Sequence, residues 1–443
     1  MSEYAETRQQ PRVLTRSEHP ISRTSVSENA LKVLYRLRRS GFTAYLVGGA
    51  VRDLMMGRRP KDFDIGTNAR PQQVRQLFRN ARLIGRRFRL ARVIFAGEVV
   101  EVATFRRSPD PPEMLDGETS DVLAPTPEAN EYGTPDEDAR RRDFTVNALF
   151  YNIADFTVID FVGGLADLGE RVIRSVGPAR VRFGEDPVRM MRAVEYAARL
   201  GFRLDDEAAD AISEMHAEIH RAAPARIAYE LLESLRSGHA GAIFRGLEEH
   251  GLLRHVLPEV RQGLGKPDGA LLWELLERAD GVAAKGNASS DDALLAMLLM
   301  PELVGIIDAA ATGSLVSSEV ERQVRQAIAP SATRLALSNH LGHVLRSAFS
   351  CLARIVQPPR AGKQVVRTMR QEGFTVALGL AAVFVTATGR HRGAVAAWQE
   401  AIRRAQAGAP ALPEQRGEGR RRHRRRGRRH RVAAPATSQR SEP

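Results

Sequence analysis

Two carboxylates flank one aromatic residue at Asp62-Phe63-Asp64. In an extended strand alternate residues share a face, so Asp62 and Asp64 would project together while Phe63 turns to the core. Asp-x-Asp alone is common in solvated turns, but Phe63 and Ile65 favour a strand here. Carboxylates spaced this way can share two hard cations, roughly 3.5–4 Å apart in two-metal sites. One ion lowers the pKa of an attacking hydroxyl; the other holds a triphosphate and stabilises the departing pyrophosphate. Just upstream, Gly48-Gly49 separates a β-rich run, Ala44–Val47, from a helical run over 50–56. Glycines there let the backbone approach an anion, and the helix N-terminus turns its free N–H groups towards it. The bland alternative is a tight turn. Arg52 in the first helical turn adds a charged fork, and Asp53 follows it. A third carboxylate, Glu101, lies in a strand-like run whose Val100 and Val102 face the other way; it completes the acidic site or simply faces solvent.

Two later segments suit a nucleotide. Residues 140–147 pack Arg140, Arg141, Arg142, Asp143 and Asn147 together, where the plain reading is a charged surface turn. Residues 185–192 open a helix. Asp186 before Pro187 reads as an ordinary N-cap with Pro at the first helical position. Capping does not explain Arg189 and Arg192, which share a face at i, i+3.

The elements that must hold these residues fall into two kinds. A helix runs from Ser27 to Gly41, strands are expected at 44–47 and 63–65, and Pro71 opens a further helix. Residues 88–105 read as a hairpin broken at Ala96-Gly97, residues 108–135 as a mobile loop, and 144–152 and 156–161 as strands. Beyond about residue 165 strand signals vanish and helical runs dominate (186–200, 206–219, 225–236, 239–250 and onward). The expected fold is α+β: a nucleotide-handling head with a small mixed sheet and flanking helices (26–165), a helical neck (166–260), and a helical body (261–406). A disordered leader (1–25) and a disordered arginine-rich tail (407–443) flank them.

A chain of 443 residues holds several domains. One cysteine, Cys351, excludes a disulfide framework and a cysteine-based zinc site, and fits a reducing cytoplasm. The best apolar run, 374–388, is short and reads as a buried helix, so no membrane partner is expected. The N-terminal residues carry no apolar stretch of signal-peptide type. The net charge of +13 implies a polyanionic partner, yet nine arginines lie in 420–431; without them the rest carries +4. Arg420, Arg421, Arg422, Arg424, Arg425, Arg426, Arg428 and Arg429 are therefore the candidate contacts for that polyanion.

The motifs LVGGAVRD, KDFDIG, EVATFR, RRDFTVNAL, DFVGGLADL and EDPVRMMRA occur in that order between residues 46 and 193. Together they resemble the class II nucleotidyltransferases, the family of bacterial poly(A) polymerases and CCA-adding enzymes, over about residues 40–260. The segment LIGRRFRLARV (83–93) is similar to one that marks the poly(A) polymerases, which usually carry His where this chain has Arg92. Residues 231–256 and the basic tail are similar to theirs as well. The resemblance implies a template-independent polynucleotide adenylyltransferase that adds AMP from ATP to RNA 3′ ends of mRNA or other transcripts in the cytoplasm. The alternative is a CCA-adding or A-adding enzyme acting on tRNA, and less expected is a non-catalytic RNA-binding protein. It also implies two Mg²⁺ on Asp62 and Asp64, with Glu101 as a further catalytic carboxylate. Gly48, Gly49, Arg52 and Asp53 would surround the triphosphate; Arg142, Asp143 and Asn147 would contact the nucleotide near the ribose. Asp186 and Arg189 would read the base edge, with Arg192 beside them.

Overall fold

The computed structural model describes residues 10–85, 90–107, 132–287, 289–360 and 362–407. The head contains β1 (Arg12–Leu14), α1 (Glu28–Arg39), β2 (Ala44–Val47), α2 (Gly49–Met55), β3 (Asp64–Thr67) and α3 (Pro71–Leu77). Then come β4 (Ala81–Ile84), β5 (Leu90–Phe95), β6 (Glu98–Thr104), α4 (Pro135–Arg141), β7 (Leu149–Asn152), β8 (Thr157–Asp160) and α5 (Gly164–Glu170). Its eight strands form one sheet in the order β1-β8-β7-β2-β3-β6-β5-β4. The sheet is mixed: β3 and β6 run parallel and every other neighbouring pair is antiparallel.

Local chemistry accounts for the placement. The Ser27 hydroxyl accepts from the Ala30 N–H, Glu28 occupies the first turn of α1, and Arg36, Arg38 and Arg39 occupy its last. Cap and charges both suit the helix dipole. Its Ala30, Val33, Leu34 and Leu37 are buried in one cluster with Leu46, Ile65, Val100 and Val102 of the sheet. Each fully buried Val, Leu or Ile among them contributes roughly 1.5–3 kcal/mol. The central strands β2, β3 and β6 are thereby backed by α1 on one face, and their ends carry the candidate site.

Four expectations change. Residues 10–25, read as disordered, are ordered: β1 pairs with β8, Ile21 is buried, and the His19 imidazole bonds the Phe156 carbonyl oxygen at 2.8 Å. Three extended residues were too few to register as a strand pattern. The loop expected to reach 135 ends sooner, because Thr134 and Glu137 form a reciprocal capping box that starts α4. The strand expected from 144 begins only at Leu149; Thr145–Asn147 form a 3-10 turn instead. The sheet, expected to be small, has eight strands among the described residues.

Helices dominate after residue 165, with one exception. The two-residue strands β9 (Val172–Ile173) and β10 (Arg203–Leu204) pair in parallel around α6 (Ala179–Glu185) and α7 (Val188–Leu200). Then come α8 (Asp206–Met215), α9 (Pro224–Arg236) and α10 (Ala240–Glu249), and nine further α-helices among the described residues, ending at Arg392–Gln406. Helix Phe374–Thr388 is a core helix, as its apolar run predicts. Helix Asp291–Ala311 is longer and also apolar enough to cross a membrane by composition. It packs inside the body instead, with Leu294, Leu298, Leu303 and Ile307 buried. The arginine tail, Arg86, Arg87 and Arg89 lie outside the described residues.

Candidate active site

A cleft of about 220 Å³ opens between the head and the neck. Asp62 and Asp64 stand on its head side with Gly49, Arg52, Asp53 and Lys61; the neck contributes Arg192, Glu195, Tyr196 and Arg199 from α7 and Tyr229, Glu230 and Glu233 from α9. Asp62 and Asp64 are exposed while Phe63 between them is buried, the alternation expected of an extended segment. The paired strand begins only at Asp64, however, so Asp62 lies just before it. A larger cleft of about 410 Å³ lies in the body between Ser317 and Gln371. It carries one carboxylate, Glu321, which the Arg354 guanidinium holds at 2.9 Å, so the carboxylate chemistry belongs to the smaller cleft.

Sheet register brings the third carboxylate beside Asp64. Asp64 is the direct partner of Glu101 across the parallel β3–β6 pair. On its other side Glu101 faces Arg92 of β5, whose Nε donates to Glu101 Oε1 at 2.7 Å. The residue at which the 83–93 segment departs from the usual pattern thus fixes one oxygen of this carboxylate. Asp64 pays for its position in protonation. Closely packed protein first, then the Glu101 and Asp62 charges, push its pKa up to about 6, against a pull from Arg142. A carboxyl pushed up to about 6 by burial first and by neighbouring carboxylates second is a site where a bound divalent cation would favour the ionised form. Among the described residues no three acidic, His or Cys side chains close tightly enough to enclose an ion alone. Mg²⁺ fits such an open arrangement, because it binds through one or two carboxylates and completes its shell with water and phosphate oxygens.

Gly48 turns the chain from β2 into α2 with φ 74°. A side chain here would also lie 3.0 Å from an Arg142 Nη1 nitrogen. Arg52 is 2 % exposed and is part of the frame as well as the lining. Its Nε bonds Asp53 at 2.8 Å and its Nη1 bonds Asn147 Oδ1 at 2.5 Å. Arg142 bonds Asp138 at 3.0 Å and the Asn147 carbonyl oxygen at 3.3 Å. Asp143 accepts from the Phe144 N–H at 2.8 Å, from Asn147 at 3.3 Å, and from Arg192 at 2.9 and 2.8 Å. Burial alone would raise the Asp143 carboxyl; Arg192 with the other donors outweighs it and holds the pKa below the ordinary value.

Gly49, Arg52, Asp53, Asp62, Asp64 and Arg192 therefore come together on the cleft. Arg142, Asp143 and Asn147 form the layer behind it, and Glu101 lies one strand over from Asp64. Asp186 and Arg189 lie off the lining, at the start of α7. Asp186 does not cap α7, as its sequence suggested; both its oxygens are held by Arg226 at 2.8 Å. Arg189 reaches only the Arg182 carbonyl oxygen at 3.4 Å and Glu185 at 3.5 Å.

Several cleft residues escaped motif reading. Tyr196 and Tyr229 are the cleft's two aromatic residues, and Tyr196 is the one in contact with the arginines. Its hydroxyl accepts from Arg192 Nη2 at 2.8 Å, and the guanidinium carbons of Arg52, Arg192 and Arg199 lie 5.4, 5.3 and 5.0 Å from its ring centroid. Of these three cation–π contacts the one from Arg52 of α2 ties head to neck, the other two lying within α7, and burial pushes the phenol up to about 12. Glu233 bonds Lys61 at 3.2 Å across the cleft, and Glu230 bonds Arg192 at 3.3 Å. Their only sequence signal is spacing: 192, 195, 196 and 199 share one helical face, as do 226, 230 and 233.

Comparison with known proteins places the chain among relatives. Residues 44–174 match the poly A polymerase head domain, and residues 201–264 match the probable RNA and SrmB-binding site of polymerase A. The chain is 47% identical to poly(A) polymerase I of Salmonella typhi over 264 residues, 58% of this chain and 56% of that protein. It is 38% identical to the CCA-adding enzyme of Lactobacillus gasseri over 255 residues, 56% of this chain and 58% of that one. The match thus spans little more than half the length of these curated relatives. The solved Bacillus stearothermophilus CCA-adding enzyme in complex with CTP superimposes with a TM-score of 0.59 and 25% identity, over 87% of this chain and 88% of that one. A CCA-adding enzyme solved with ATP shares the fold at TM-score 0.54 and 19% identity, over 89% and 85%. The head of this chain is thus similar to the poly A polymerase head domain, and the fold as a whole resembles that of the solved CCA-adding enzymes.

Proposed function

We propose that the chain is a template-independent poly(A) polymerase that transfers AMP from ATP to the 3′ hydroxyl of RNA and releases pyrophosphate. The observation that carries this reading is the pair Asp62 and Asp64 on the lining of a cleft, with Glu101 one strand over from Asp64 and Arg192, Arg199, Tyr196, Tyr229, Glu195, Glu230 and Glu233 on the opposite wall. Asp62 and Asp64 would hold two Mg²⁺, which supply a lowered pKa for the attacking hydroxyl and charge neutralisation for the leaving pyrophosphate. The protein's own residues do the rest. Gly48 and Gly49 leave room for phosphates near the backbone, and Arg52 places a fixed cation beneath them. Arg142, Asp143 and Asn147 keep that floor rigid and reach towards the ribose. Asp186 and Arg189 offer an acceptor and a donor fork to the base edge, a protein template in place of a nucleic acid. The helical body and the arginine tail would hold the RNA through its phosphates. ATP and RNA ends both occur in the cytoplasm, which suits the single buried Cys351.

A second reading has its own support in the similarity to CCA-adding enzymes. Purified protein incubated with unstructured RNA, and separately with tRNA lacking CCA, distinguishes them. Long products from ATP alone are expected; addition that stops after one to three residues and requires CTP favours the second reading.

A further inference from the structure

The body cleft of about 410 Å³ takes no part in the reaction proposed above. It lies between helices Ser317–Arg334, Asn339–Ile355 and Gly362–Met369, and a second hollow of about 310 Å³ adjoins it. The two share Glu321, Ser350, Arg354 and Gln371, so they form one continuous groove. Residues three or four apart share a helical face. Glu321 and Arg325 bring one face of the first helix to the groove, and Arg346, Ser350 and Arg354 bring one face of the second. Gln364, Arg367 and Thr368 come from the third, with Arg360 just before it. None of these residues lies in the segments that match the two family models, 44–174 and 201–264.

Five arginines line the groove against two carboxylates. Both carboxylates already have neighbours of their own. Glu321 accepts from Arg354 at 2.9 Å, and Glu372 stands 3.3 and 3.4 Å from His340 and His343. Arg354 also bonds Gln371 at 2.7 Å, which fixes it at the junction of the two hollows. Among the described residues the side chains of Arg325, Arg346, Arg360 and Arg367 make no hydrogen bond or ion pair. Like charges gathered in one groove repel, and an anion between them reverses that cost. A guanidinium presents its donors as a fork that matches phosphate oxygens. The hydroxyls of Ser317, Ser350 and Thr368 supply further donors. No Phe, Tyr or Trp lines either hollow. Single-stranded RNA sites combine cations with aromatic platforms for the bases; this groove has the cations alone, in a cavity of small-molecule size.

We propose that the groove is a second phosphate site, which takes a compact polyphosphate, free or as the tail of a nucleotide, through its phosphates alone. It goes beyond the nucleotidyl-transfer reading and needs no metal ion, because its cations are its own side chains. Arg354 is the fixed cation at the centre. Arg360 and Arg367 serve the larger hollow, and Arg325 and Arg346 the adjoining one.

The test is equilibrium binding of inorganic triphosphate to the full chain with a chelator present, set against Arg360→Ala with Arg367→Ala. ATP and an unstructured RNA are titrated in parallel, and melting is followed with and without triphosphate. Each arginine–phosphate contact removed costs about tenfold, so the Kd for triphosphate should rise about a hundredfold in the double variant. Triphosphate should raise the melting temperature of the unmodified chain and not that of the variant. ATP should bind in chelator no more tightly than triphosphate, and the affinity for RNA should stay within about twofold. An unchanged Kd for triphosphate overturns the proposal. A tenfold loss of RNA affinity makes the groove a stretch of the RNA path and overturns it as well. ATP binding tenfold tighter than triphosphate overturns recognition through phosphates alone. Arg367→Glu carries the test if the double variant does not fold. A protein that binds triphosphate here yet extends no RNA supports this site and overturns the proposed function, so the two failures are distinct.

Discussion

Asp64 is placed for chemistry at the expense of its own ionisation. Its carboxyl titrates near 6 rather than 3.8, so between those values the folded chain keeps a proton that the unfolded chain has released. Stability therefore falls as pH rises through that window, and neutral pH bears the full effect. Asp64→Asn should abolish RNA extension yet raise the melting temperature of the metal-free protein at pH 7.5. The gain should be about 1 kcal/mol, discounted for the exposure of the group, and should vanish below pH 4; a gain that is the same at pH 4 and 7.5 would contradict this origin. Tyr196 makes a second prediction. Tyr196→Phe keeps the ring and its three cations and should retain most activity, while Tyr196→Ala should lose about 3 kcal/mol or more of stability on melting. The two aspartates were legible because Asp-Phe-Asp, Gly-Gly and the later arginine segments occur in order. Tyr196, Lys61, Glu230 and Glu233 were not, because they reach the cleft through tertiary packing and carry no motif of their own.

Among the elements, the turn after β8 shows how a motif can be structural. Asp160 is buried, and its oxygens accept from the N–H groups of Val162, Gly163 and Gly164 at 3.0 Å and of Leu165 at 2.9 Å. Gly164 packs so closely that a side chain would meet the Thr145 carbonyl oxygen at 2.1 Å. Asp160→Ala strands four donors and should cost about 3 kcal/mol in denaturant unfolding, with the ATP/CTP preference unchanged. The hairpin at 90–104 and the helix from Ser27 were legible from alternation, caps and glycine stops. Strand β1 and the 3-10 turn at Thr145–Asn147 were not: three residues carry no period, and the turn is imposed by the contact with Gly164 and by the Thr145 hydroxyl bond to Asp167 at 2.6 Å. Asp186 was misread as a cap because only tertiary structure supplies Arg226.

At the scale of the molecule, the head-and-neck cleft is held by charges that bridge two structural layers, whereas the basicity of the chain is concentrated in 420–431. Deleting residues 414–443 should weaken RNA binding and flatten its salt dependence, by about 0.7 in the log–log slope for each arginine engaged with single-stranded RNA. An unchanged slope would remove the tail from the RNA contact. The division into a strand-bearing head and helical neck and body was legible from periodicity. The 21-residue apolar helix Asp291–Ala311 was not singled out, because burial on all sides gives it no amphipathic stripe. The central claim is that Asp62 and Asp64 carry nucleotidyl transfer. Its most direct test is extension of an unstructured RNA by the full chain with ATP and Mg²⁺, set against Asp62→Ala with Asp64→Ala. The account predicts a long adenylate ladder from the unmodified protein and none from a double variant that still folds; a double variant that extends RNA at the unmodified rate would contradict it.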